Sequence, residues 1–243
     1  YNRGSFFHMR IALCQIDNTV GDLPGNSTLI LQFARHAAAR GAELAVFPEL
    51  ALTGYPPRDL VEKPSFLQRT AEALQQLVEA SAQLPLGLIA GYVGRAPEGA
   101  PRRATNSAAL IENGRTLATQ TKMLLPTYDV FDEWRNFQPA TRQDIAIFRG
   151  RRLALTICED AWNDKQFWQR PLYHNDHVES IVNQGADLVI SINGSPYDIA
   201  KRAVRRQMFS AMAQRHNLPH IYVNMVGGND QLVFDGSSFA VNA

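Results

Sequence analysis

Short apolar runs recur along the chain and indicate buried β-strands. Runs of about four to eight apolar residues bounded by turn residues are typical of such strands. Two pairs of runs are hairpins, because the Asn113-Gly114 dipeptide separates one pair and Gly150 the other. The predicted strands are residues 10–16, 43–47, 86–93, 106–111, 116–122, 145–148, 152–158, 186–193, 219–226 and 231–243, the last with a turn at Gly236.

Apolar residues at helical spacing fill several intervals between these strands. Asn26 and Ser27 are cap-type residues in front of the first helix, and Gly41 ends it. The other predicted helices are residues 66–84, 174–184 and 198–217. Helices thus alternate with strands at both ends of the chain, while hairpins fill its middle. This order predicts an α/β sandwich with a mixed sheet and helices outside.

The composition excludes several classes of protein. The 243 residues are 45% apolar and 19% charged, which is an ordinary globular mixture and enough for one large domain. A net charge of +1 is too small to attract nucleic acid or an anionic membrane to the protein as a whole, so we expect neither as a partner. No apolar run approaches the ~20 residues that span a bilayer. The two cysteines form no spaced framework, which favours free thiols and a cytoplasmic location.

The two ends of the chain set its expected domain boundaries. Residues 1–8 lack periodicity and lead into Met9, so we expect a tag remnant followed by the natural start. The chain ends at Ala243 inside a predicted strand. We therefore expect residues 9–243 to form a domain that is truncated at its C-terminal end.

Three polar residues follow three different predicted strands. Cys158 ends one apolar run, Glu49 follows a proline after another, and Lys122 closes a third. Taken singly, each has an ordinary explanation: a core thiol, an exposed loop carboxylate and a lysine whose stem covers apolar surface. Taken together at the carboxyl ends of strands, they supply the nucleophile, proton acceptor and cation that acyl transfer through a thiol requires.

The segments around these residues resemble a known family. Phe-Pro-Glu-Leu around Glu49, Lys-Met-Leu-Leu-Pro from Lys122 and Cys-Glu-Asp-Ala-Trp from Cys158 resemble, in order and spacing, the three signature blocks of the nitrilase superfamily. The resemblance covers nearly the whole chain from Met9 onward. It implies a catalytic triad of these three residues on a four-layer α-β-β-α sandwich with mixed sheets. It also implies a homo-oligomer.

Further segments resemble one branch of that superfamily. Residues 49–60, 125–133 and 192–197 are similar to the glutaminase domains of glutamine-dependent NAD+ synthetases. That likeness implies L-glutamine as substrate, with ammonia passing to a C-terminal synthetase domain that amidates deamido-NAD+. The Ser-Gly-Gly-x-Asp-Ser loop of such a domain is absent from this sequence. ATP, Mg2+ and deamido-NAD+ are therefore expected only in a synthetase domain outside this chain, and no cofactor is expected here.

The resemblance also implies a glutamine pocket. Its residues would be Tyr55, Tyr128, Phe131, Glu159, Trp162, Ser195 and Lys201. Glu159 would pair with the ammonium group and Lys201 with the carboxylate, while Glu133 would support Lys122. Alternatives stay open, because Tyr128 and Phe131 could be loop packing. Lys201 also lies in a charge run with Arg202, Arg205 and Arg206, which is typical of a solvated helix face.

Other functions are weighed against this hypothesis. A free-standing amidase of the same superfamily, acting on another small amide, would carry the same triad. A non-catalytic scaffold homologue is the alternative from another class, and an intact triad argues against it. His174 and His177 have the i, i+3 spacing of metal ligands but no third ligand nearby, so no metal site is predicted.

Overall fold

A computed structural model describes residues 8–242 of the chain. The predicted tag remnant therefore lies outside the described residues, apart from His8, and so does Ala243. No helix within residues 8–242 is long and apolar enough to cross a bilayer.

The first five strands form one mixed sheet, here called sheet A. Its spatial order is β1-β2-β3-β4-β5. The first three strands are parallel, and β4 is antiparallel to both β3 and β5. The strands are β1 Ile11–Leu13, β2 Leu44–Val46, β3 Gly87–Arg95, β4 Ala104–Glu112 and β5 Arg115–Thr121.

The second half of the chain forms a mixed sheet B and a separate hairpin. The parallel strands β7, β8 and β9 lie at the centre of sheet B, in the order β12-β9-β8-β7-β6. Within residues 8–242, β10 and β11 pair only with each other. The strands are β6 Ala146–Phe148, β7 Arg151–Ile157, β8 Leu188–Asn193, β9 His220–Asn224, β10 Val226–Asn229, β11 Leu232–Asp235 and β12 Phe239–Val241.

Helices cover the outer faces of both sheets. α1 Leu23–Ala39 and α2 Pro64–Ser81 lie outside sheet A, and α4 His177–Val182 and α5 Lys201–His216 lie outside sheet B, whereas the four-residue α3 Glu133–Asn136 contacts the 3-10 turn Arg58–Glu62. α1 and α2 bury Ile30, Ala34, Phe66 and Leu77 in the core outside sheet A. α4 and α5 contribute Val178, Ile181, Met208, Phe209 and Met212 to the core outside sheet B.

The inner faces of the two sheets pack against each other. Their shared core contains Val46, Ile89 and Leu110 from sheet A, and Leu155 and Ile190 from sheet B. With helices outside each sheet, the layers run α-β-β-α, which confirms the predicted four-layer sandwich with mixed sheets. Strands buried on both faces also explain why the predicted runs are continuously apolar rather than alternating.

The structure corrects several predicted boundaries. The predicted caps Asn26 and Ser27 are wrong, because α1 begins at Leu23 and Asp22 accepts a hydrogen bond from the Gly25 N–H at 3.0 Å. Asn26 is instead buried inside the helix and donates to the Thr19 and Leu52 carbonyls.

Two further segments are shorter or more divided than predicted. α4 has six residues, because Asp176 is its N-cap and the helix ends at Val182. The segment predicted as residues 231–243 forms β11 and β12 in two different sheets, on either side of the predicted turn at Gly236, and the preceding hairpin strand β10 was not predicted separately. Gly236, at φ +59°, lies between β11 and β12, where its positive φ allows the chain to change direction.

Candidate active site

Three chain segments that follow strands bring the candidate residues to one end of the sandwich. Glu49 lies three residues beyond β2, Lys122 directly follows β5, and Cys158 directly follows β7. β2 and β5 run in the same direction. β2 is parallel to β3, and β5 is antiparallel to β4, which is itself antiparallel to β3. Gly91 of β3 admits the Glu49 segment, because a Cβ there would lie 2.2 Å from the Leu50 nitrogen.

Glu49 is completely buried, and three groups hold its carboxylate. Oε1 lies 2.7 Å from the Lys122 Nζ and accepts a hydrogen bond from the Asn106 Nδ2, also at 2.7 Å. Oε2 accepts from the Gly194 N–H at 2.8 Å. These contacts fix the carboxylate between sheet A, which carries Asn106, and the loop after β8 of sheet B. The buried carboxylate is therefore held in one orientation.

Lys122 is an ammonium group enclosed by two carboxylates. Its Nζ lies 2.7 Å from Glu49 Oε1 and 2.7 Å from Glu133 Oε2, and the side chain is fully buried. Burial alone would lower the pKa of Lys122, but Glu133 and Glu49 together raise it well above its usual value. Because an ammonium group has three N–H donors, one remains for another acceptor.

Glu133 is the first residue of the short helix α3, and its carboxylate pairs with Lys122. Its Oε1 accepts a hydrogen bond from the Tyr55 hydroxyl at 2.7 Å. Burial raises the pKa of Glu133 above its usual range, and Lys122 opposes that rise. The Glu133 carboxylate therefore depends on Lys122 for its charge, and Lys122 depends on it for its position.

Cys158 begins a single 3-10 turn with its backbone at φ +46°. Non-glycine residues in this left-handed region cost about 1–3 kcal/mol of strain and often lie at functional sites. The side chain is 6% exposed and lines a cavity. Burial, and next the charge of Glu49, raise the pKa of the Cys158 thiol well above its usual value, although Lys122 opposes them. This environment favours the protonated thiol over the thiolate.

The cavity has a volume of about 380 Å³, and five aromatic side chains contribute to its walls. The Tyr128 hydroxyl donates to the Glu159 carboxylate, at 3.0 Å from Oε1 and 2.8 Å from Oε2. Opposite, the Lys201 Nζ lies 5.9 Å from the Phe131 ring centroid and 5.5 Å from that of Trp162. The lining residues are Tyr128, Phe131, Cys158, Glu159, Trp162, Asn163, Trp168, Arg170, Leu172, Tyr173, Ser195 and Lys201.

Most of the pocket residues named from the sequence thus line this one cavity. Tyr55 does not accompany them: it is 2% exposed and lies behind Glu133, where it lines a second cavity of about 290 Å³. The charge run on α5 is also not uniformly solvated. Arg205 is 1% exposed and donates to the Ser195 and Pro196 carbonyls, while pairing with Asp235 at 2.7 Å.

Sequence reasoning missed several residues of the site. Asn106 and Gly194 bind Glu49, but nothing in their local sequence distinguishes them from ordinary strand and turn residues. Trp168, Leu172 and Tyr173 come from the irregular stretch between the 3-10 turn that begins at Cys158 and helix α4. No periodicity in this stretch marks which side chains face inward. No group of three or more potential metal ligands occurs within residues 8–242.

Known proteins resemble this chain along nearly its full length. It is 43% identical over 238 residues to a glutamine-dependent NAD+ synthetase of Synechocystis sp., covering 96% of this chain and 42% of the relative. It is 34% identical to the synthetase of Thermotoga maritima, covering 97% of this chain and 38% of the relative. The chain thus spans about two fifths of the length of these relatives.

Solved structures share the fold. The glutamine-dependent NAD+ synthetase of Acinetobacter baumannii superposes with a TM-score of 0.84 at 31% identity, covering 96% of this chain and 41% of that one. A nitrilase-superfamily amidase of Nesterenkonia superposes with a TM-score of 0.81 at 27% identity, covering 97% and 83%. Residues 10–243 also match the carbon-nitrogen hydrolase family. This chain belongs to the carbon-nitrogen hydrolase family, within the nitrilase superfamily.

Proposed function

We propose that this chain is the glutaminase part of a glutamine-dependent NAD+ synthetase. It would release ammonia from L-glutamine through a thioester on Cys158. The observation that carries the proposal is the buried Glu49–Lys122–Glu133 cluster, with N–O distances of 2.7 Å, whose charges act on Cys158 in the wall of the cavity. Relatives bearing the synthetase name match nearly the whole of this chain, and so they support the choice of substrate.

The first half-reaction forms the thioester. Glu49 accepts the proton of the Cys158 thiol, and the thiolate attacks the side-chain carbonyl carbon of glutamine. The remaining N–H of Lys122 and the backbone N–H of Glu159 stabilise the oxyanion. When the C–N bond breaks, Glu49 returns the proton to the leaving nitrogen, and ammonia departs. Loss of one oxyanion donor typically costs about 10²–10³-fold in rate.

The second half-reaction restores the enzyme. Glu49 takes a proton from water, and the resulting hydroxide adds to the thioester carbonyl. The C–S bond then breaks, glutamate leaves, and the proton returns from Glu49 to the sulfur. General acid–base transfer of this kind contributes about 10²–10⁴-fold. One carboxylate can serve both steps because Lys122, Asn106 and Gly194 keep it in one orientation.

The two ends of glutamine would meet opposite charges in the cavity. Glu159 would bind the ammonium group, since the Tyr128 hydroxyl holds its carboxylate in place. Lys201 would bind the carboxylate from its position beside Phe131 and Trp162. Burial lowers the pKa of Lys201, and a bound carboxylate would favour its charged form again. Ser195 would contribute a further polar contact at the cavity wall.

The rest of the reaction would lie outside this chain. Ammonia would pass to a C-terminal synthetase domain, which would use ATP, Mg2+ and deamido-NAD+ to form NAD+. We propose a homo-oligomeric assembly in the cytoplasm for the full protein. The glutaminase part itself would need no cofactor, because cysteine, glutamate and lysine supply the whole set of groups that the hydrolysis uses.

A free-standing amidase is the second candidate. The Nesterenkonia amidase is matched over 83% of its length, so this fold also serves proteins without a synthetase part. Substrate preference separates the two: a glutaminase requires the zwitterionic end of glutamine, whereas a general amidase would hydrolyse propionamide as readily. A scaffold homologue would hydrolyse neither.

Labelling with diazo-oxo-norleucine, a glutamine-like electrophile, tests the proposal directly. Intact-mass spectrometry should show one adduct on the folded chain, which Cys158→Ala abolishes while circular dichroism stays unchanged. Cys14→Ala is the matched control, because Cys14 is buried in the core of sheet A and should leave labelling intact.

Turnover should follow the same pattern as labelling. Ammonia and glutamate release from glutamine should disappear in Cys158→Ala and persist in Cys14→Ala, measured in the chain and in the full-length synthetase. Wild-type turnover in Cys158→Ala would refute the mechanism. Equal kcat/KM for glutamine and propionamide would favour the general amidase, and an unlabelled Cys158 would favour the scaffold.

A further inference from the structure

Asp160 is a buried carboxylate two residues after Cys158 that accepts hydrogen bonds from three backbone N–H groups. Its Oδ1 lies 2.9 Å from the Met123 nitrogen and 2.8 Å from the Leu124 nitrogen. Its Oδ2 lies 3.3 Å from the Ile157 nitrogen. The residue is 1% exposed. Burial raises the pKa of Asp160 to about 7, and the three N–H groups oppose that rise.

These bonds join two segments that come from different sheets. Met123 and Leu124 directly follow Lys122 at the end of β5 in sheet A, whereas Ile157 ends β7 in sheet B. The distance between the sulfur of Cys158 and the ammonium of Lys122 depends on how these two segments meet. Asp160 lies at their junction and touches the backbone on both sides.

The bond to Ile157 also supports the strained turn. Ile157 is extended, at φ −120°, and the next residue, Cys158, has φ +46°. Asp160 caps this turn by accepting the N–H at its start, as a capping-box residue does. The side chain therefore holds the backbone on which Cys158 takes its left-handed conformation.

We infer that Asp160 is a positioning residue, which sets the Cys158 sulfur against Lys122 by tying the two segments together. The inference rests on the proposed cysteine hydrolase chemistry. Asp160 needs no contact with the substrate, because its bonds are to backbone groups. Its loss should therefore lower the rate of reaction at the sulfur much more than it changes the binding of glutamine.

The variant Asp160→Asn tests this role. Asparagine keeps the shape and one acceptor oxygen, but its amide group replaces one of the two oxygens and cannot accept from a backbone N–H. We expect kcat for glutamine to fall by roughly 10- to 100-fold, with KM changed less than about threefold. Alkylation of Cys158 by iodoacetamide, in which the sulfur displaces iodide and the thiol proton passes to Glu49, should slow to a similar extent.

Asp187→Asn is the matched control. Asp187 Oδ2 also accepts a backbone N–H, from Arg152 at 2.9 Å, and so ties β7 to β8 at the opposite end of the same strand. Both kcat and the alkylation rate should stay within about twofold of wild type in this variant. A general effect of removing a strand-tying carboxylate would instead appear in both variants.

Several outcomes would overturn the inference. A folded Asp160→Asn protein with kcat and alkylation within about twofold of wild type would do so, even if its melting temperature fell. If Asp160→Asn does not fold, Asp160→Glu keeps the charge but lengthens the side chain, and unchanged alkylation there would equally contradict positioning. If wild type hydrolyses no glutamine but Asp160→Asn still slows alkylation, the substrate assignment fails and the positioning role stands.

Discussion

At the scale of single residues, the site depends on one buried cation shared by two carboxylates. Lys122 is 2.7 Å from an oxygen of Glu49 and 2.7 Å from an oxygen of Glu133. Glu49, Lys122 and Cys158 could be named as candidates from the sequence, because each stands in a distinctive short segment. The ligands of Glu49 could not be predicted, because Asn106 and Gly194 reach it only through the packing of distant segments.

Lys122→Met should destabilise the fold and also abolish turnover. Removing the ammonium leaves Glu49 and Glu133 as adjacent buried carboxylates, and breaking a buried ion pair from one side costs about 3–5 kcal/mol. Urea unfolding measures the loss of stability, and ammonia release measures turnover. Lys63→Met, on the exposed side chain before α2, should change the free energy of unfolding by less than about 0.5 kcal/mol. An equally small change in the free energy of unfolding of Lys122→Met would show that Lys122 is not enclosed by Glu49 and Glu133.

At the scale of secondary structure elements, local turn chemistry separates the successful predictions from the failures. The hairpin of β4 and β5 was predicted correctly because Asn113 and Gly114, with φ of 49° and 74°, adopt the turn that this dipeptide favours. The start of α1 was missed because Pro24 and Gly25 suggest a loop, although proline suits the first turn of a helix. The cavity wall at Leu172 and Tyr173 was missed because that stretch has no periodicity.

His220, at the start of β9, should make stability depend on pH. Its ring is fully buried, its Nδ1 lies 3.0 Å from the Leu218 carbonyl, and burial lowers its pKa to about 4. The hydrogen bond with the Leu218 carbonyl and the charge of Asp164 favour the charged ring, whereas nearby His216 and Arg215 disfavour it. Because the folded pKa lies below the unfolded one of about 6.5, the neutral ring contributes stability above pH 6.5 that is lost as pH falls through about 4.

The comparison of wild type with His220→Asn isolates this contribution from other groups that titrate in the same range. The difference in free energy of unfolding should shrink by as much as about 3 kcal/mol between pH 7 and pH 4. Urea unfolding at several pH values measures it. The exposed His174 supplies the control, since His174→Asn removes a histidine with no buried ring. A constant difference across this range would show that His220 is not buried in its neutral form.

At the scale of the whole molecule, neither sheet contains the site by itself. Glu49 and Lys122 follow strands of sheet A, Cys158 follows a strand of sheet B, and Gly194 of the sheet B half binds Glu49 at 2.8 Å. The alternation of helices and strands along the chain predicted a layer of β-sheet and a layer of helices outside it. The face-to-face packing of two separate sheets entered only through the family resemblance, because pairings between distant strands leave no mark in local periodicity.

Ile190→Ala should therefore weaken the whole molecule and the site together. Ile190 is fully buried in the core shared by both sheets, and removing such a side chain typically costs about 2–5 kcal/mol because a cavity remains. Val233→Ala, on the 61% exposed side chain of the β10–β11 hairpin, should cost less than about 0.5 kcal/mol. Tryptophan fluorescence and Cys158 alkylation, followed in urea, should shift their midpoints by the same amount in Ile190→Ala. If the fluorescence midpoint shifted and the alkylation midpoint did not, the reactive sulfur would belong to a part of the molecule that is stable without the contact between the sheets. That result would contradict a site that forms where the two sheets meet.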